Sequence, residues 1–394
     1  MKKILMTTAA IALGASAAGA EEIKMGVLLG FTGPLESLAG PMAQGAEMAM
    51  KEVSDSGMLL EGDTVTPVRG DSTCIDSAAA TAAAETLVTS DGVKGIMGAM
   101  CSGATTAVLQ NVGMPNGVVM ISPSATSPAL SSMEDGGFFF RTAPSDARQG
   151  EVMAQEILDK DISSVAVTYT NNDYGKGLAD SFQSAFEEAG GTVTISAAHE
   201  DGKGDYSAEV GALASAGGDA LVLIGYVDQG GSGVLRGALD TGAFYTFVFP
   251  DGMVSQALED NFGAELEGSF GQLPDSEGEG MTTYLGMAEE AGFDGSSAYS
   301  GGAYDSAALM LLAMQAAGST DPKVYKDMIM EVANGPGEKI YPGELAKGLE
   351  LLKAGEAIDY DGATAVELIG EGEAAGTFRE ILFEDGKITT VGYR

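Results

Sequence analysis

Short apolar runs rich in β-branched residues alternate along this chain with longer stretches whose apolar residues recur at helical spacing. The strand-like runs are Ile23–Leu29, Thr64–Arg69, Val93–Ala99, Val118–Ile121, Val165–Tyr169, Thr192–Ala197, Ala220–Ile224 and Thr246–Phe249. The helix-like stretches are Met42–Val53, Ser77–Val88, Ala104–Asn111, Ala147–Leu158, Gly177–Ala189, Ser207–Ser215, Gly233–Leu239 and Ser255–Asn261, with Tyr304–Gln315 and Pro322–Val332 further on. A strand followed by a helix, repeated, predicts parallel sheets covered by helices on both faces, because parallel neighbours need a crossover. So many units do not fit one compact sheet, and the alternation predicts an α/β protein of two lobes. The pattern breaks near Phe138–Asp146, after the Ser-, Pro- and Gly-rich segment Ser122–Gly137, and then restarts. A second acidic, Gly-rich loop, Pro274–Gly280, precedes the helical stretch Tyr284–Ala291. The C-terminal part alternates again through Ala365–Ile369, Phe378–Phe383 and Ile388–Val391.

The length of 394 residues agrees with two domains, and a hydrophobic content of 45% is enough for large cores, which excludes general disorder. Charge removes further classes. With 20 basic against 57 acidic residues the net charge is −37, a surface that repels nucleic-acid phosphates and anionic lipid alike. Residues 1–20 read as a secretory signal: Lys2 and Lys3 start it, residues 4–18 are apolar or small, and Ala18-Gly19-Ala20 precedes Glu21. The apolar stretch falls short of the roughly 20 residues a spanning helix needs. No Cys follows it as a lipid attachment point, so a periplasmic chain starting near Glu21 is expected. The two cysteines, Cys74 and Cys101, are expected to form a disulfide in that oxidising compartment; the alternative is a pair of buried thiols. Two Cys and one His make a poor metal-ligand set, so no metal is expected.

In open parallel sheets, ligands bind beyond the carboxyl ends of the strands. There the sequence places Cys101-Ser102-Gly103, Ser122-Pro123-Ser124-Ala125-Thr126, Asn171-Asn172-Asp173-Tyr174-Gly175, Gly225-Tyr226-Val227-Asp228 and Pro250-Asp251-Gly252. The first two loops belong to the first lobe and the others to the second. Ser102 and Thr126 offer hydroxyls beside backbone N–H groups, which suits a carboxylate. Asp251 suits an ammonium, and Tyr174 and Tyr226 offer flat faces with a hydrogen-bonding tip. A zwitterion satisfies both lobes. Each residue also has a plainer reading: Ser102 and Thr126 as helix caps, Asn172 and Asp173 as capping or turn residues, Asp251 as a turn residue, Tyr226 as core. Signals for catalysis are weak. His199 is the only histidine, in an acidic Gly-rich surrounding where an exposed or capping role is expected. The sequence contains no Gly-x-Ser-x-Gly elbow, P-loop, His-Glu-x-x-His or Gly-x-Gly-x-x-Gly after the first strand.

In their order and spacing, several of these segments resemble the periplasmic solute-binding proteins of ABC transporters for branched-chain amino acids. The resemblance runs from Lys24 to the end. It is carried by Gly33-Pro34, Gly70-Asp71-Ser72-Thr73-Cys74, Cys101-Ser102, Ile121–Thr126, Asn172–Gly177, Gly225-Tyr226 and Ile358–Ala363. It implies a type I binding-protein fold: two Rossmann-like lobes joined by three crossovers, near Thr142–Ser145, Gly271–Asp275 and Gly376–Phe378. Lobe 1 would comprise residues 21–143 plus 275–376, and lobe 2 residues 144–274 plus 377–394. The resemblance further implies a Cys74–Cys101 bridge and carboxylate contacts from Ser102, Ser124 and Thr126. It implies aromatic and acidic contacts from Tyr174, Tyr226 and Asp251, with Tyr299 on the first-lobe wall. The segment Pro34–Gly40 departs from the leucine binders as a longer loop without their aromatic. The implied function is amino-acid binding without catalysis or cofactor, by a monomer that delivers its cargo to a membrane permease by hinge closure. A sensing module, or a binder of an amide or small organic acid, is the alternative.

Overall fold

The computed structural model describes residues 20–394; the expected signal segment therefore lies, but for its last residue, outside the described residues. Two seven-stranded sheets organise the molecule. In the first, Glu22–Leu29 lies between Thr64–Asp71 and Ile96–Gly98, and Met120–Ser122 and Phe139–Arg141 follow, all in parallel. Glu373–Ala374 continues it in parallel and Leu368–Ile369 closes it antiparallel. The second sheet repeats the plan. Ser164–Thr170 lies between Thr192–His199 and Ala220–Ile224, followed by Phe247–Phe249 and Phe270–Pro274 in parallel. The antiparallel strands Phe378–Glu384 and Lys387–Tyr393 complete it.

Burial explains these strands. Ala220–Ile224 is covered on both faces and so is apolar without interruption, whereas the edge strand Thr192–His199 alternates exposed and half-buried positions. In each sheet the chain's order reverses beside the first strand. Loops leaving the two strands around that point diverge and open a crevice. The chain passes between the sheets three times: between Arg141 and Asp146, after Pro274, and between Ala374 and Phe378.

The structure corrects several expectations. Phe139–Arg141 and Phe270–Pro274 are strands that the sequence reading did not mark, and the chain crosses between the sheets directly after each. Both are short, and Arg141, Gly271 and Pro274 interrupt the apolar signal that marks a buried strand. The segment Pro34–Gly40 is not a long loop, because helix Glu36–Ser56 already starts within it. Gly40-Pro41 reads as a stop, yet Leu38, Ala39, Met42, Ala43 and Ala46 form one buried stripe, and that packing outweighs a missing backbone donor. His199 ends its strand and is 1% exposed, its Nδ1 2.9 Å from the Thr168 hydroxyl, instead of lying at the surface. Burial lowers its pKa to about 4, so it is neutral at pH 7.

The run Ile358–Ala363 is held by one acid of the buried helix Ser300–Ala317. Asp305 accepts from Tyr360 Oη (2.8 Å), Ala363 N (2.8 Å), Thr364 N (2.9 Å) and Thr364 Oγ1 (2.6 Å). Cys74 and Cys101 are bonded, with Cα atoms 5.2 Å apart, which ties the loop after Thr64–Asp71 to the start of helix Ser102–Val108. Among the described residues no helix is long and apolar enough to cross a membrane.

Candidate functional site

The two crevices face one another, and a cavity of about 310 Å³ lies between them. Leu35, Leu38, Met100, Cys101, Ser102 and Ser124 wall it from the first sheet's side, and Tyr174, Tyr226, Asp251 and Gly252 from the second's. Tyr299, from the first-sheet side, closes it. No Lys, Arg or His lines it among the described residues.

The serine wall is built by its own hydrogen bonds. Ser122 Oγ donates to Ala99 O (2.6 Å) and accepts from Ala125 N (2.9 Å), which folds the turn after its strand. Ser124 Oγ donates to Met100 O (2.7 Å), and Ser102 Oγ accepts from Ser127 N (3.1 Å). The Ser102 hydroxyl hydrogen is therefore free for a guest acceptor. Arg141 lies beneath, giving one nitrogen to Ala125 O and Ser127 O (both 3.0 Å) and the other to Ser131 Oγ and Glu373. It shapes the turn and reaches no guest. Ser102 does not act as a cap, since Cys101 holds that position; Asn172 does cap, accepting from Gly175 N (3.0 Å).

The opposite wall centres on Asp251, which is 3% exposed. Its Oδ1 accepts from Gln149 Nε2 (2.8 Å) and Tyr174 Oη (2.9 Å), and its Oδ2 from Tyr299 Oη (2.6 Å). Burial raises its pKa, and these three donors oppose the rise. Burial first, then the charge of Asp251, pushes the Tyr174 and Tyr299 phenols well above their usual range, so both remain donors. Tyr226 stacks on Tyr174 with ring centroids 5.4 Å apart and planes 9° from parallel. The glycine of Pro250-Asp251-Gly252 is required by close approach: a Cβ there would stand 2.6 Å from Gly225 O and 3.0 Å from Tyr174 Oη. The walls also touch directly at the rim. Ser37 N donates to Asp228 Oδ2 (2.9 Å), and Asp228 N donates to Pro34 O (3.1 Å).

Of the seven residues expected from sequence, the cavity brings together Ser102, Ser124, Tyr174, Tyr226, Asp251 and Tyr299. Thr126 lies outside its wall, fully buried, with its hydroxyl unpartnered beside the Asp146 carboxyl. The sequence reading missed the apolar wall of Leu35, Leu38 and Met100, together with Asp146 and Gln149. The last two sit three apart in the first turn of helix Asp146–Asp159, where acidic and polar residues read as ordinary helix-start chemistry. A larger cavity, about 560 Å³, lies against the three crossovers, with Thr142, Pro274 and Gly376 in its wall. Its polar groups are already paired: Thr142 Oγ1 with Gly302 O (2.9 Å), and Thr377 Oγ1 with Asp275 O (2.6 Å). The smaller cleft instead gathers a buried carboxylate, three tyrosines and the Ser102 hydroxyl around one space, which favours it as the site.

The chain is similar to the Leu/Ile/Val-binding protein homolog 1 of Brucella melitensis, 32% identical over 86% of this chain and 89% of that one. A leucine binding protein from Thermotoga maritima superposes with a TM-score of 0.79 at 21% identity, covering 94% of this chain and 98% of its own. A branched-chain amino acid transporter substrate binding protein from Streptococcus pneumoniae, in complex with isoleucine, gives 0.77 at 21% identity over 94% and 99%. The family model described as periplasmic binding protein matches residues 22–332, and with two lobes of the type I plan facing across a cleft, the chain belongs to that family of solute-binding proteins, which are not enzymes.

Proposed function

We infer that this protein binds a neutral α-amino acid with an aliphatic side chain, of the leucine, isoleucine and valine class, and presents it to an ABC permease. Asp251 takes the ammonium, with Tyr174, Tyr226 and Tyr299 enclosing it. The Ser102 hydroxyl and the turn Ser124–Thr126 take the carboxylate, with Ser124 exchanging its hydrogen bond to Met100 O for one to the guest, and Leu35, Leu38 and Met100 receive the side chain. The observation that carries this reading is the polarity of the cleft. A buried carboxylate faces hydroxyls in a cavity of about 310 Å³ that no Lys, Arg or His lines among the described residues, and the remaining wall is apolar. A desolvated zwitterion is stable only where both ends are paired, and here each end has its own lobe.

Closure follows from that division. Residues 21–143 plus 275–376 form one rigid unit and residues 144–274 plus 377–394 the other, and a guest that contacts both favours the closed form by its differential affinity. Export through a cleaved segment 1–20 and a monomeric state complete the reading. The test is calorimetry on the chain beginning at Glu21, with leucine, 4-methylpentanoate (no ammonium) and 3-methylbutylamine (no carboxylate). Leucine binds, and each truncated analogue loses at least a hundredfold. Equal affinity for 4-methylpentanoate would overturn the assignment in favour of an organic-acid binder.

A further inference from the structure

Asp251 accepts from three donors and keeps a further acceptor position for an ammonium, whereas Asp146 is held by no such set. Asp146 is fully buried, and both of its carboxyl oxygens lack a hydrogen-bond partner. The Gln149 Oε1 and Thr126 Oγ1 atoms beside it are equally unpartnered. Gln149 lies three residues after Asp146 on the same helix and donates to Asp251 Oδ1 at 2.8 Å, which brings the two acids to one end of that helix. Among the described residues the cation that acts on Asp146 is Arg141, whose guanidinium is engaged with Glu373 and the carbonyls of Ala125 and Ser127. Asp251, Thr126 and Arg141 face Asp146; Tyr174, Tyr226 and Tyr299 complete the ring of titratable groups about the pair. Two buried carboxyls that repel each other do not both ionise in an empty cleft. Burial first, and then the charge of Asp251, push the Asp146 carboxyl toward its protonated form, and the charge of Arg141 and the nearby Thr126 hydroxyl oppose them without reversing the direction.

We propose that Asp146 is a second acid of the ammonium subsite, which holds a proton while the cleft is empty and releases it when the ligand's ammonium enters. The inference rests on the amino-acid reading above. Its balance is simple. The O–H bond of the Asp146 carboxyl breaks, the proton leaves to solvent, and the site exchanges one positive charge for another. The unpartnered acceptors of Asp146, Gln149 and Thr126 then serve the charge network that Asp251 alone cannot complete. The protein thereby selects a ligand carrying a full positive charge over an uncharged isostere.

Calorimetry of the full mature chain with leucine, in buffers of differing ionisation enthalpy between pH 5 and 9, tests this without any substitution. Close to one proton is released per leucine in the lower part of that range, falling toward zero in the upper part, and affinity rises with pH by up to tenfold per unit. Asp146→Asn removes the release, and its affinity approaches that of wild type at low pH while trailing ten- to a hundredfold at high pH. Glu156→Gln, on the same helix but about 15 Å along it, keeps the wild-type release. Tight leucine binding with no proton release at any pH overturns the inference and leaves the amino-acid reading intact, and so does release that persists in Asp146→Asn. If Asp146→Asn fails to fold, the wild-type and Glu156→Gln slopes decide. Absence of leucine binding overturns the amino-acid reading itself.

Discussion

Replacing Asp251 by Asn separates binding from folding. The substitution keeps the shape of the side chain and removes its charge. In the empty protein the carboxyl accepts from Gln149, Tyr174 and Tyr299. Asn keeps one acceptor oxygen for Gln149 and Tyr174, and its amide can donate to the Tyr299 hydroxyl, which accepts as well as donates. It also removes a carboxylate whose charged form burial disfavours, so the unliganded melting temperature should hold or rise. Binding behaves differently. Truncating one partner of a buried, hydrogen-bonded charge pair costs about 2–5 kcal/mol, and about 1.4 kcal/mol is a factor of ten. Leucine affinity should therefore fall roughly 30- to 3,000-fold. Isothermal calorimetry supplies the affinity and scanning calorimetry the unliganded melting point. An affinity within tenfold of wild type would refute the reasoning, because an ammonium whose charge partner is gone cannot remain desolvated at so small a cost. A melting point lowered by many degrees would show instead that Asp251 is a structural residue.

Glu156, 1% exposed with both carboxyl oxygens unpartnered, is raised to a pKa of about 8, chiefly by burial and then by Glu380. The folded chain keeps a proton that the unfolded chain loses above its ordinary pKa near 4.5, so stability declines by up to about 1.4 kcal/mol per pH unit from there to about 8. Urea titrations of Glu156→Gln should lack that slope; an identical pH profile in both proteins would contradict it. Reducing the Cys74–Cys101 bridge, or replacing both cysteines by Ser, reopens a loop of 27 positions and should cost roughly 3.5 kcal/mol in urea unfolding. Asp228→Ala loses the bond from Ser37 N at the rim and lies outside the cavity wall. It should speed leucine release about fivefold, in line with roughly 1 kcal/mol for one hydrogen bond, and leave the association rate unchanged in stopped-flow traces.

Ala220–Ile224, apolar without a break, and Ser164–Thr170, with Val165-Ala166-Val167 buried near its start, were legible because a parallel strand buried on both faces carries an apolar run. Phe139–Arg141 and Phe270–Pro274 were not, since three to five residues carry little periodicity and each contains residues that elsewhere mark loops. On the site, Asp251, Tyr174 and Tyr226 could be picked out because they follow strands at the end where α/β proteins bind. Leu35 and Leu38 could not, because the Gly40-Pro41 pair disguised the helix that carries them. Asp146 looked like any acid in a first helical turn.

Local pattern by itself determined that this chain forms two parallel α/β units and which loops end at their binding edges, because burial on both faces leaves a signature within a few neighbouring residues. Only the tertiary structure decided that Tyr299 reaches Asp251 across 48 positions of sequence, that Ser37 meets Asp228 across 191, and that Asp146 stands unpaired beside a second acid. Those relations depend on how one lobe faces the other, and solvation and charge at such a meeting are set by distance in space, which no local periodicity encodes.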